Sequence, residues 1–114
     1  MRGGRNHQDF LDDIIETIDK IELFTTGMDF DSFSNDDKTI FAVIRGLEVI
    51  GEAVKNISED FRKKNQDIPW SEIAGMRDKL IHAYFGVDVS VVWMTVASDL
   101  PDLKEKIETL RKLS

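Results

Sequence analysis

Apolar side chains recur every three or four residues along most of this chain, and that period constrains the fold more than any other feature. From Ile40 to Ile57 the apolar positions are Ile40, Val43, Ile44, Leu47, Ile50, Val54 and Ile57. They form one long stripe down a single face of an α-helix. Phe10, Leu11, Ile14, Ile15, Ile18, Ile21 and Phe24 trace a similar stripe over residues 7–25, with acids between them. Val91, Val92, Trp93 and Val96 mark a further helix, and Leu103, Ile107, Leu110 and Leu113 a last one. No stretch alternates apolar and polar residues as a half-buried strand does, and no internal repeat or low-complexity segment is visible. The expected fold class is all-α, a single domain over residues 1–114 built as an antiparallel bundle of four to five helices.

The punctuation between stripes predicts the joints. Gly27 is a stop for the first helix, because glycine accepts a left-handed cap. The connection MDFDSFSNDD is polar, with its two phenylalanines expected to tuck against the bundle. Ser34 or Asn35 can cap the second helix, expected over 36–57, with Asp36 and Asp37 favourable at its positive end. Gly46 and Gly51 inside that helix have two readings, simple tolerance or the close approach of another element. Ser58 opens a short helical turn through Phe61, and RKKNQD reads as a solvated loop. Ile68-Pro69 is a break, since proline disfavours helical geometry at the residue before it. Ser71 is the expected cap of a helix running to about Phe85 and ended by Gly86. Asp88 or Ser90 caps the next, and Asp99-Leu100-Pro101 starts the last, with proline where its missing N–H costs nothing.

Composition narrows the functions. No apolar run approaches the roughly 20 residues of a membrane helix. The N-terminal MRGGRNHQDF is not followed by the apolar core of a signal peptide, so no membrane partner is expected. The chain has no cysteine, which rules out disulfides and thiolate metal sites and fits a cytoplasmic location. Its two histidines, His7 and His82, are far apart, so no metal site is expected. The net charge is −7, and it is unevenly spread: residues 1–44 carry 4 basic and 10 acidic side chains, whereas residues 45–79 carry 7 of each. General nucleic-acid binders carry a basic excess. Any contact with nucleic acid here belongs to a small local site, one that two subunits could share.

The helix expected over 71–85 holds the densest chemistry. At about 100° per residue, Ile73, Met76, Leu80 and Ala83 share one face and are expected in the core. The opposite arc carries Tyr84, Arg77, Ile81, Phe85, Asp78 and His82, a mixture of aromatics, arginine and apolar residues typical of an interface core. Packing this face across a two-fold axis would bring two copies of Arg77 and His82 to one cleft. Within one helix those two lie about 140° apart and about 7.5 Å along the axis, a gap arginine can close. Asp78 is one turn before His82 and can hold its tautomer or pair with Arg77. Such a set suits phosphodiester cleavage: the imidazole moves a proton at a ribose 2′-hydroxyl or a leaving oxygen, and the guanidinium stabilises charge on phosphorus oxygens. On spacing alone the plainer reading, a surface arginine and a partly buried, hydrogen-bonded histidine, is the more common outcome.

The pattern Arg77-Asp78-x3-His82-x-Tyr84 resembles the R-x4-H-x-Y motif of the HepT toxins, a branch of the HEPN helical ribonucleases. The likeness extends through PWSEIAGMRDKLIHAYFGVD, Val91–Trp93, DLPDLKEKI at 99–107, and IRGLEVIGEAVKNIS with Glu48, Gly51 and Glu52. It implies a homodimeric, metal-independent endoribonuclease with no cofactor, its site at the dimer cleft, Arg77 and His82 catalytic and Asp78 supporting them. The family often has Asn where this chain has Asp78, which places a carboxylate beside the scissile phosphate unless it pairs with Arg77. Gly46 stands where relatives more often carry a larger polar residue. The resemblance also implies a partner, a nucleotidyltransferase antitoxin that moves AMP from ATP onto Tyr84. A rival reading makes the chain a helical binding module, a partner or substrate of that nucleotidyltransferase without nuclease activity. The net charge leans to the rival, the Arg77/His82 pair to the enzyme.

Overall fold

The computed structural model describes residues 6–75 and 88–113, and no strand occurs among them. Helix α1 spans His7–Thr25, α2 Phe30–Ser34, α3 Asp37–Lys55, α4 Glu59–Lys64 and α5 Trp70–Ala74. Helix α6 (Val89–Met94) continues through a π-helical turn, Thr95–Asp99, into α7 (Leu100–Leu113). The all-α bundle read from the apolar period is what the chain forms, with the long stripes of α1 and α3 making its centre. Leu11, Ile14, Ile18 and Ile21 of α1 meet Val43, Ile44, Leu47 and Ile50 of α3, all buried. Each such aliphatic side chain contributes about 1.5–3 kcal/mol on burial.

Helix α7 closes the bundle against α1 with two ionic ties. Lys104 Nζ lies 2.7 Å from Asp19 and 3.2 Å from Glu22, and Arg111 lies 3.1 Å from Asp12. As numbering rises along α7 it falls along α1, so the two helices are antiparallel.

The ends of α1 follow the local chemistry. Asn6 and Asp9 form a reciprocal capping box, each side chain accepting the other's backbone N–H. Gly27 takes φ +78, the left-handed conformation expected of a helix stop.

Four expectations are corrected. The second long helix is capped by Asp36, not by Ser34 or Asn35. Its carboxylate accepts the Thr39 N–H at 3.0 Å and the Thr39 hydroxyl at 2.8 Å. The stretch before it is not all loop, because Asp29 caps the short α2 and buries Phe33, while Phe30 stays 43% exposed. Arg62, Lys63 and Lys64 belong to α4, where cations favour the negative end of the helix. Ser71 lies inside α5 rather than capping it; Pro69 holds the cap position without a side-chain bond.

Pro101 sits in the first turn of α7, as expected, but that helix continues from the π turn rather than starting after a loop. Leu100, between the two, reaches back five residues with its N–H to Thr95 O. Proline offers no N–H to the carbonyl four residues earlier and crowds it, so the wider turn relieves a helix that otherwise runs on.

Both helical glycines of α3 prove to be close approaches. A Cβ at Gly46 would lie 2.8 Å from Ile21 Cδ1, and one at Gly51 would lie 3.3 Å from the Ile73 carbonyl oxygen.

Candidate functional site

Arg77, Asp78, His82 and Tyr84, together with Met76, Leu80, Ile81, Ala83, Phe85 and Gly86, lie outside the described residues. The frame on either side of them is described. On the entry side the chain is pinned before it reaches Arg77. Ile68, Trp70 and Ile73 are buried, so the core position expected for Ile73 is the one it occupies. The Trp70 indole N–H donates to Asn65 O at 2.9 Å, and its ring meets Phe61 edge-on at 6.4 Å. Phe61 in turn stacks on His7 at 4.3 Å, which ties the start of α1 to α4. The contact of Gly51 with Ile73 O then sets α5 directly on α3.

The exit side is anchored as firmly. Asp88 caps α6 by accepting the Ser90 N–H at 3.1 Å and, through a short bond, the Ser90 hydroxyl. Val92 and Val96 are buried, and Trp93 packs on Phe33 with ring centres 5.0 Å apart. The described elements that precede and follow residues 76–87, α5 and α6, both belong to the core.

On α3, Glu48 is half-buried and faces Arg45 at 3.9 Å, a loose pair whose arginine is mostly in water. Glu52, one turn later, is exposed. Basic residues on the described surface are spread over α1 (Lys20), α3 (Lys38, Arg45, Lys55), the end of α4 and α7 (Lys104, Lys106, Arg111, Lys112). Lys63 of α4 is occupied by Glu59 at 3.4 Å. None of these makes a broad basic face.

A groove of about 560 Å³ lies where α5 meets the α6–α7 helix, lined by Glu72 and Ile73 on one side and Val91, Met94, Asp99 and Leu103 on the other. Sequence reading did not find it. Val91 and Val92 read as one apolar run, yet Val92 points into the core while Val91 stands open. The available signal was spacing: Val92 and Val96 share a face four residues apart, which turns Val91 and Met94 away from it.

Among the described residues no helix is long and apolar enough to cross a membrane. The family model described as Ribonuclease HepT-like matches residues 14–110. A protein of Thermococcus cleftensis named "Probable ribonuclease HepT" is 60% identical over 108 residues, covering 95% of this chain and 98% of that one. "Putative RNase MJ1216" of Methanocaldococcus jannaschii is 49% identical over 95% of this chain and 89% of its own. "Putative RNase TTE0752" of Caldanaerobacter subterraneus is 41% identical over 89% and 90%. No solved structure matches. With a family match over residues 14–110 and relatives aligned over most of both chains, the chain belongs to the HepT-like ribonuclease family.

Proposed function

We propose that this protein is a metal-independent endoribonuclease of the toxin type, working as a homodimer with Arg77 and His82 at the cleft. The observation that carries the reading is the 60% identity, over 95% of the chain, to a relative named as a ribonuclease. The Arg77-x4-His82-x-Tyr84 pattern supports it with a chemically sufficient set of groups. His82 takes the proton of a ribose 2′-hydroxyl, whose oxygen attacks the adjacent phosphorus. The P–O5′ bond breaks and the leaving oxygen takes a proton from the imidazolium so formed or from water, giving a 2′,3′-cyclic phosphate and a 5′-hydroxyl. Arg77 stabilises the charge that grows on the non-bridging oxygens. Asp78 orients the imidazole or the guanidinium, and its charge is tolerable beside phosphate when Arg77 shares it.

Control falls to Tyr84 and a nucleotidyltransferase antitoxin. The tyrosine oxygen attacks the α-phosphorus of ATP, an O–P bond forms and pyrophosphate leaves. The added phosphate occupies Arg77 and repels the RNA backbone. The net charge of −7 favours a second reading, a non-catalytic helical module that binds the same nucleotidyltransferase.

Expression in a host lacking the antitoxin separates the two. The wild type arrests growth and His82→Ala does not, although both are recovered as folded dimers. Co-expression with the antitoxin adds AMP mass to the Tyr84 peptide and not to a Tyr84→Phe protein. Growth arrest by His82→Ala would remove that residue from the mechanism, and harmless wild-type protein would favour the binding module.

A further inference from the structure

The groove between α5 and the α6–α7 helix is lined by chemistry that suits a protein and not RNA. Its floor is apolar, with Ile73, Leu100 and Leu103 buried. Its rim carries Val91 and Met94, 46% and 62% exposed. Every charged residue lining it among the described ones is a carboxylate: Glu72 from α5, Asp99 from the π turn and Asp102 from α7. Among the described residues, Asp102 pairs with Lys106 at 3.2 Å, and no ion pair is seen for Glu72 or Asp99.

Phosphates are repelled by these three carboxylates, which favours a protein over RNA as the occupant. Among the described residues no three carboxylates or imidazoles are placed to hold a metal ion. What complements the groove is an apolar side chain flanked by positive charge. The carboxylates attract and orient it, and the apolar floor takes it out of water. Met94, unbranched and polarizable, can adjust its shape to such a guest.

We propose that this groove docks a segment of another protein that presents an apolar side chain between lysines or arginines. The inference needs no catalysis and stands whether or not the chain cleaves RNA. A second copy of the chain is a poorer occupant, because its own groove would bring the same three carboxylates rather than the positive charge that complements them.

The test uses the full-length, ¹⁵N-labelled protein and a synthetic helical peptide with leucines on one face flanked by arginines. A second peptide has glutamates in place of the arginines. The arginine peptide binds at least about ten-fold more tightly than the glutamate one and shifts amides within 70–74 and 90–103. Glu72→Gln/Asp99→Asn/Asp102→Asn weakens it by about ten-fold or more. Asp31→Asn/Asp60→Asn/Asp67→Asn, which changes net charge equally at exposed sites elsewhere, leaves it within about two-fold. All three groove carboxylates are exposed, so the variant folds, and its circular dichroism and Tm check that. Equal weakening in both triple variants would reduce the effect to general charge attraction and overturn the proposal. So would no binding, or shifts elsewhere in the chain. Shifts of the groove amides with single-stranded RNA would assign the groove to nucleic acid, and shifts on concentrating the protein alone would assign it to a second copy.

Discussion

A Cβ placed on Gly51 would meet a backbone carbonyl, that of Ile73 at 3.3 Å, with the Ala74 carbonyl at 3.8 Å behind it. Backbone cannot turn aside as a side-chain tip can. Gly51→Val therefore forces α5 away from α3 and lowers stability by about 2–3 kcal/mol, read from denaturant unfolding. A variant as stable as the wild type would mean that α5 is not seated as described. Gly46 differs in kind: its neighbour is the Ile21 side chain, at 2.8 Å, fully buried and with little room to turn. Both glycines were visible in the sequence as interruptions of a good helix, but nothing in the sequence could say which element approached them. That depends on partners far away in the chain. At the same scale, the roles of Arg77, His82, Asp78 and Tyr84 rest on their spacing and on the family, since they lie outside the described residues.

Caps and ion pairs organise the elements. Asp36 accepts the Thr39 backbone N–H and its hydroxyl, and these bonds hold its carboxyl below the usual carboxylate range. A depressed pKa gives stability that is present above the unfolded value, about 3.9, and is lost as pH falls through the folded one. Asp36→Ala should thus lower Tm at about pH 6, with the gap to wild type narrowing as pH drops below about 4. A gap that stays constant with pH would contradict the cap. Asp19, and then Glu22, raise the Lys104 ammonium above lysine's ordinary value. A raised pKa stabilises fully below the unfolded value of about 10.4 and is lost only as pH climbs above it. The tie between α1 and α7 is therefore constant through neutral pH.

Helix existence and type were readable from the 3.6-residue period because burial of one face imposes it. Helix starts were less so. Ser34, Asn35 and Asp36 are all good caps, and choosing among them takes the packing of Ile40 and Phe33, which sets where the first turn can begin. The π turn was unreadable for a similar reason. A proline after an aspartate looks like a start, and only Val92, Val96 and Leu100 all reaching the core keep the helix running through it.

For the molecule as a whole, the charge distribution and the expected dimer bear on each other. An acidic chain cannot hold RNA over a broad surface, so a cleft shared by two copies of Arg77 and His82 is where substrate charge would be met. If the face carrying Ile81 and Phe85 makes that cleft, Ile81→Glu or Phe85→Glu yields monomers in sedimentation and loses activity with the dimer. An intact, active dimer would place the interface elsewhere. The acidic groove beside α5 is then left for protein. The two proposals together would divide a site for substrate at Arg77 and His82 from an acidic site for a protein partner.

On the proposed mechanism, His82 drives RNA cleavage without a metal ion. The most direct measurement incubates a mixed RNA substrate with unmodified protein in EDTA, beside His82→Ala, and identifies the product ends. Cleavage by the wild type alone, leaving 2′,3′-cyclic or 3′-phosphates and 5′-hydroxyls, is the predicted result. Intact RNA after incubation with a dimer that carries no AMP on Tyr84, or cleavage that survives His82→Ala, would contradict it.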